Sequence, residues 1–363
     1  MLLAELLQAA SGQLAAAGVE QPRLEAELMA AHVLRTDRAG VLSKLTSDIV
    51  SEAKLLVAHT SASMPASAKF DLALFNAFIA RRLAREPLPY ILGEAQFYGL
   101  TLFVDRRVLI PRPETELLVE EALRLIKEWP PLPSASGVSP LPDRSGQALA
   151  RRGEPHPFGD PSLRSGLRLR AGSSPLHING EGIREKTKLE REERLIMAGP
   201  VVADIGTGSG AIAIAMAHAS GIPSLFATDL SELALAVAAK NVARYGFERR
   251  VTLLQGDLLA PLLVRPDIVL ANLPYVRSGS LPELQPEIAR YEPVMALDGG
   301  PDGLDLIRRL WSQALARYGA GSGVAFLLEH EDNQAPTVLD IVRQPARQIA
   351  DLAGLKRLTL AYL

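Results

Sequence analysis

Residues 201–210 read V-V-A-D-I-G-T-G-S-G and run straight into A-I-A-I-A-M-A-H-A at 211–219. A short apolar run, three alternating glycines and an alanine-rich stretch describe a strand, a tight turn and a helix. Glycines allow the backbone to turn sharply and to approach a ligand closely. Their spacing selects the kind of ligand. A G-x-G-x-x-G turn would seat a pyrophosphate on the helix N-terminus. Here the glycines are Gly206, Gly208 and Gly210, with Thr207 and Ser209 between them and Asp204 just before. A carboxylate at that point repels a pyrophosphate and suits an ammonium group. ATP is disfavoured as well, because the chain has no G-x-x-x-x-G-K-[ST] loop.

Downstream of this turn, strands and helices alternate. S-L-F-A-T-D-L precedes the helical S-E-L-A-L-A-V-A-A-K-N-V-A-R-Y-G, and V-T-L-L-Q-G-D and D-I-V-L-A-N follow. A helix around Leu304 to Tyr318, the strand G-V-A-F-L-L-E-H, a further helix and a terminal L-T-L-A-Y-L complete the series. Such alternation implies an α/β fold with a mostly parallel sheet and helices on both faces. Ligands of these sheets sit beyond the carboxyl ends of the strands. The second strand ends at Asp229, placed to accept hydrogen bonds from a ribose, and the third at Asp257-Leu258, placed to border an adenine. One aspartate alone reads as a helix cap. Three at successive strand ends beside a glycine turn fit S-adenosyl-L-methionine, which has an ammonium, a ribose and an adenine but no phosphate.

The fourth strand ends at Asn272-Leu273-Pro274-Tyr275. This resembles the Asn/Asp-x-Pro-Tyr/Phe motif of S-adenosylmethionine enzymes that methylate planar nitrogens. Such a nitrogen is a poor nucleophile because its lone pair is delocalised. Asn272 Oδ1 and the Leu273 carbonyl can accept its two N–H bonds, which turns the lone pair toward the methyl donor. Pro274 stiffens the turn and Tyr275 can stack on the planar group. The motif leaves open an adenine or cytosine amine and a glutamine amide.

Upstream, residues 1–85 carry leucines at helical spacing: Leu2, Leu3, Leu6 and Leu7, then Leu24, Leu28 and Leu34. Gly12, Gly18, Pro22, Gly40 and Pro65 are expected to divide them into short helices around a leucine core. Residues 86–112 read as a β-hairpin linker built around Gly93 and Gly99, and 113–363 as the ligand-binding domain. Within the latter, 130–195 is rich in Pro, Gly, Ser and Arg without periodicity and reads as a disordered or inserted surface segment.

Composition excludes several classes. With 48% hydrophobic residues the chain can build a sizeable core, and a net charge of −2 gives no global attraction to nucleic acid. There is no cysteine, so disulfide and thiolate chemistry are absent, and the six histidines are scattered, so no metal site is expected. The N-terminus lacks a basic segment before its apolar stretch, and no apolar run approaches a membrane span, so a cytoplasmic protein is expected.

Four stretches outside the motif resemble one family. P-L-P-Y-I-L-G-E-A-Q-F-Y-G-L (87–100), V-L-I-P-R-P-E-T-E-L-L-V-E (108–120), Y-E-P-V-M-A-L-D-G-G-P-D-G-L-D (291–305) and L-L-E-H with Gln334 are similar to the peptide-chain-release-factor glutamine N5-methyltransferases (PrmC/HemK-like). The resemblance spans everything except the segment near 130–195. It implies a Rossmann-like class I methyltransferase with a seven-stranded sheet, joined through the hairpin to a small helical domain that recognises substrate. It also implies S-adenosyl-L-methionine as methyl donor and, as partner, a class I release factor, methylated on the glutamine of its Gly-Gly-Gln loop. By the same resemblance Gly206 to Gly210, Asp229 and Asn272 line the donor site, and Asn272 to Tyr275 hold the amide. Arg112 and Glu114 match a pocket-closing stretch, although Pro113-Glu114 equally suits a helix N-terminus. Leu273 stands where the family usually has proline, and Leu258 where it often has an aromatic against the adenine. Two other readings compete: an adenine N6-methyltransferase on RNA or DNA, and a non-catalytic module. The first would require a basic face beside Tyr275. The intact Asp229, Asn272 and glycine turn oppose the second.

Overall fold

The structure is a computed structural model that describes residues 1–47, 70–129 and 199–363. Pro65 and the segment 130–195 lie outside the described residues. The chain divides into two compact units. One comprises Met1–Ala95, Val104–Arg106 and Pro282–Glu292, the other Gln96–Phe103, Arg107–Leu281 and Pro293–Leu363.

The first unit is helical: α1 (Leu3–Ala16), α2 (Pro22–Leu34), α3 (Arg38–Ser43), α4 (Leu72–Leu83) and α5 (Leu88–Leu92). Leu3, Leu7, Leu14, Met29 and Phe75 are fully buried in its core. Each such side chain contributes about 1.5–3 kcal/mol by leaving water. Not every leucine of the sequence pattern joins them. Leu2 is exposed, and Leu24 and Leu28 are half-buried. Gly18 follows α1 in a left-handed conformation and Pro22 opens α2, as expected of helix punctuation. Gly12 and Gly40, by contrast, lie inside α1 and α3. The propensity cost of a mid-helix glycine, about 1 kcal/mol, is outweighed in α1 by the burial of its leucine stripe. A separate stretch, Pro282–Glu292, belongs to this unit because Glu287 accepts from both Arg82 (2.8 Å) and Arg85 (2.7 Å).

L-P-Y-I-L, capped by Pro87, is the short helix α5, ended by Gly93 in the left-handed region. The hairpin proper is β1 (Glu94–Phe97) and β2 (Leu100–Phe103), joined by Tyr98 and Gly99, both at positive φ. Two successive positive-φ residues are what a tight hairpin turn needs to match strand twist.

The second unit holds α6 (Glu116–Lys127) and a seven-stranded sheet: β3 (Val202–Ile205), β4 (Leu225–Asp229), β5 (Val251–Gln255), β6 (Ile268–Ala271), β7 (Ala325–Glu329), β8 (Ala346–Ala350) and β9 (Lys356–Tyr362). Between the strands run α7 (Ala211–Ala219), α8 (Glu232–Arg244), α9 (Asp305–Tyr318) and α10 (Ala335–Val342). The strand order is β5-β4-β3-β6-β7-β9-β8, with β9 antiparallel to both neighbours and the rest parallel. This is the mostly parallel, seven-stranded Rossmann-like α/β sheet that the resemblance implies. β3, β6 and β7 are buried along their whole length. Residues buried on both faces explain why their sequences are continuously apolar rather than alternating.

Register positions the site. Ile205 pairs with Thr228 on one side and Ala271 on the other, and Ala271 pairs with Leu328. The next residue on each strand therefore falls in one row at the carboxyl edge: Asp229, Gly206, Asn272 and Glu329. The chain also reverses direction across the sheet here, since β4 and β6 flank β3 on opposite sides. Such a switch point is where open α/β sheets bind ligands.

Candidate active site

The glycine turn leaves β3 with Gly206, Gly208 and Gly210 all at positive φ. The Gly206 and Thr207 amides both donate to the Thr228 carbonyl at 2.9 Å, which ties the turn to β4. At Gly206 the fit is close: a Cβ there would stand 3.0 Å from Cδ2 of Leu273.

Asp204 does not present its carboxylate on an open surface; it is completely enclosed. Its Oδ2 accepts from Thr207 Oγ1 at 2.6 Å and from the Ala213 amide at 3.2 Å, which braces the turn against the start of α7. Its Oδ1 is buried and has no hydrogen-bond partner among the described residues. Burial pushes the carboxyl up to about 7, against the two hydrogen bonds that favour its ionised form. Buried oxygens are nearly always bonded. An enclosed carboxylate oxygen with no donor therefore suits a ligand that brings one.

Asp229 is half-buried at the end of β4. Its Oδ2 accepts from the Gly208 amide at 2.9 Å and its Oδ1 from the Ser231 amide at 2.8 Å. One carboxylate thus links the glycine turn to the start of α8 and keeps lone pairs for further donors. Burial raises its pKa.

Asp257 and Leu258 sit differently. The Asp257 carboxylate is held by Arg309 at 2.7 Å and by Gln313 at 3.0 Å, both on α9. Leu258 is buried among apolar neighbours, at a φ of 52° unusual for a leucine, and its carbonyl accepts from Thr228 Oγ1 at 3.0 Å.

Asn272 to Tyr275 leave β6 as irregular backbone, fixed from two sides. Leu273 is 3% exposed and packs into the core that includes Ile205 and Ala271. On the other side the D-G-G-P-D-G segment lies against the motif. The Gly299 amide donates to the Val276 carbonyl at 2.8 Å, and a Cβ on Gly303 would collide with the Tyr275 carbonyl. Gln334 Nε2 donates to that same carbonyl at 2.9 Å and to the Asp302 carbonyl at 3.1 Å. Asn272 Nδ2 donates to Thr115 Oγ1 at 2.8 Å, so its Oδ1 faces the opposite way. The Tyr275 hydroxyl is pushed up to about 12 by burial and then by the negative charge of Glu329. The hydroxyl therefore stays protonated near neutral pH.

Arg112 precedes a single 3₁₀ turn, Pro113–Thr115, with proline at its first position. Glu114 is exposed. Both charges act on Glu329, Glu114 raising its pKa and Arg112 lowering it, and Arg112 also acts on Tyr275. The structure thus brings Gly206 to Gly210, Asp229, Asn272 to Tyr275, Arg112 and Glu114 to one edge of the sheet, with Asp204 enclosed behind the glycine turn within β3. Asp257 and Leu258 follow the end of β5, whose Gln255 pairs with Asp229; Asp257 is also held by α9 and Leu258 is packed in the core. Thr115, Glu329 and Gln334, which the sequence reading assigned no role, hold the motif in place. Each was visible within a quoted stretch, but nothing local pairs residue 115 with residues 272 and 329. Among the described residues there is no cluster of His, Asp and Glu fit for a metal, and no helix long and apolar enough to cross a membrane.

Residues 5–93 match the model of the PrmC N-terminal domain, and 181–290 match that of the ribosomal protein L11 methyltransferase (PrmA). A release factor glutamine methyltransferase of Moorella thermoacetica is 32% identical, covering 100% of this chain and 99% of that protein. The protein of the same name from Geobacter sulfurreducens is also 32% identical, over 90% of this chain and 84% of its own length. A third, from Gloeobacter violaceus, is 32% identical over 76% of this chain and 74% of its own. With this identity over essentially the full length, and with the strand-edge site in place, the chain belongs to the release factor glutamine methyltransferase family.

Proposed function

We propose that the protein transfers a methyl group from S-adenosyl-L-methionine to the side-chain amide nitrogen, N5, of the glutamine in the Gly-Gly-Gln loop of a class I release factor. The observation that carries this reading is the orientation of Asn272. Its Nδ2 gives one of its two N–H bonds to Thr115, which turns Oδ1 away as an acceptor beside the Leu273 carbonyl. Two acceptors on consecutive residues suit a primary amide or amine, which has two N–H bonds to give.

The residues at the β3–β4 edge fit the methyl donor. The orphan Oδ1 of Asp204, enclosed behind the glycine turn, can take a hydrogen bond from the donor's ammonium side through a bridging water. Asp229 has free lone pairs for ribose hydroxyls, and the glycine turn has no side chains to obstruct close approach. When bound, S-adenosylmethionine supplies a methyl group made electrophilic by a sulfonium. The chain's own work is positioning. Asn272 Oδ1 and the Leu273 carbonyl fix the two N–H bonds and so direct the lone pair, and they stabilise the positive charge that develops on nitrogen. Tyr275 walls the planar group, and the Gln334 and Gly303 contacts keep its backbone from shifting. No strong base is needed, because the nitrogen releases its surplus proton to solvent only after the methyl has arrived and made that proton acidic.

The test is methyl transfer from labelled S-adenosylmethionine with purified release factor, total RNA and DNA offered together, followed by peptide mapping. Label on the Gly-Gly-Gln glutamine is expected. Label in nucleic acid alone would mean that the site holds adenine instead.

A further inference from the structure

A buried polar chain runs from the amide-binding motif back into the sheet. Asn272 Nδ2 donates to Thr115 Oγ1 at 2.8 Å, and Thr115 Oγ1 donates to Glu329 Oε1 at 3.2 Å. Thr115 and Glu329 are almost completely enclosed, at 4% and 2% exposure. The three residues come from the end of β6, the turn before α6 and the end of β7.

The polarity of this chain is determined by its far end. A carboxyl oxygen without a proton can only accept, and a threonine hydroxyl has a single proton to give. With that proton directed to Glu329, Thr115 Oγ1 can only accept from Asn272. The asparagine amide must then turn its NH₂ toward Thr115 and its oxygen away. Without such a partner an asparagine amide can rotate by half a turn, exchanging O and N at nearly equal shape. The flipped amide would set N–H groups against the N–H groups of the substrate.

We propose that Thr115 and Glu329 are positioning residues that hold Asn272 in the one orientation in which it accepts the substrate's N–H bond. This rests on the amide-methylation reading of the same site. Arg112, Glu114, Arg357 and Tyr275 surround Glu329 electrostatically. Burial lifts its carboxyl to about 7, so it is partly protonated near neutral pH. A proton on the unpartnered Oε2 leaves Oε1 an acceptor, and the direction of the chain is the same in both states. A neutral glutamine can therefore stand in for it.

The experiment compares the full chain with Thr115→Val, Thr115→Ser, Glu329→Leu and Glu329→Gln, measuring kcat, KM for release factor and the Kd for S-adenosylmethionine. Thr115→Val and Glu329→Leu are expected to lower kcat by about 10- to 100-fold, with KM and Kd changed by no more than about threefold. Thr115→Ser and Glu329→Gln, which keep the hydroxyl and the acceptor oxygen, are expected to restore kcat to within about fivefold of wild type. Full activity in Thr115→Val would overturn the proposal. So would equal losses in the valine and serine variants accompanied by loss of donor binding, since that is the mark of a purely structural role. A wild-type protein that does not label release factor would count against the substrate reading and not against the relay. The relay has its own readout in the ¹⁵N side-chain amide signals of Asn272. Slow exchange in the wild type, lost in Thr115→Val and kept in Thr115→Ser, supports it; identical spectra of wild type and Thr115→Val contradict it.

Discussion

Leu273 and Gly206 are packed against each other across the β3–β6 edge, so closely that a Cβ on the glycine would stand 3.0 Å from Cδ2 of the leucine. The Leu273 side chain thus supports the glycine turn, and couples the proposed amide-binding motif to the proposed methyl-donor site. Leucine in place of the family's usual proline does not leave the motif loose, because its side chain is anchored in the core.

Replacing Gly206 with alanine adds a Cβ at a φ of 75° and against a buried neighbour. The expected cost is about 1–3 kcal/mol of stability from backbone strain. Donor affinity should fall with it, measured by calorimetry with S-adenosylmethionine, because the turn must shift to admit the methyl group. Unchanged affinity and unchanged melting would show that the contact is not tight.

Asp229→Asn tests the β4 end. The carboxylate receives backbone N–H bonds from Gly208 and Ser231, and by the proposed reading two ribose hydroxyls as well. Charge-assisted bonds of this kind contribute about 1.5–3 kcal/mol. The Kd for S-adenosylmethionine should therefore rise by about 10- to 100-fold, which a titration reads directly. A Kd within error of wild type would remove Asp229 from the donor site.

Glu329 links the site to pH. Burial raises its pKa from 4.5 to about 7, so the folded protein retains a proton that the unfolded chain releases. The resulting stabilisation is complete below about 4.5 and is lost as pH rises through about 7. Glu329→Gln does not titrate. In the absence of ligand, the variant should gain on wild type by about 2–3 kcal/mol between pH 5 and pH 8. Urea unfolding at the two pH values measures this, and a pH-independent difference would contradict it. Asp204 shifts in the same direction but is present in both proteins and cancels.

The parts of the molecule visible in the sequence are those where neighbouring residues carry the signal. The apolar runs of β3, β6 and β7 read as strands because both of their faces are buried. The alternating glycines read as a ligand turn because few other residues adopt positive φ. β8 gave little signal: A-R-Q-I-A lies at the sheet edge with a single buried residue, Ile349. Asp257 reads as a third strand-end acid, but nothing near it in the chain announces its contacts with Arg309 and Gln313 on α9. Thr115 and Glu329 escaped for the same reason. Their importance lies in a contact made only when the turn before α6 and the end of β7 meet at Asn272.

Asn272→Ala tests the central claim most directly, with two readouts on one protein. The variant retains the Leu273 carbonyl and the glycine turn but loses the amide acceptor. Binding of S-adenosylmethionine should remain within about threefold of wild type, while kcat on release factor falls by on the order of 10²–10³-fold. Unchanged turnover, or a loss accounted for entirely by weakened donor binding, would show that Asn272 does not hold the glutamine amide.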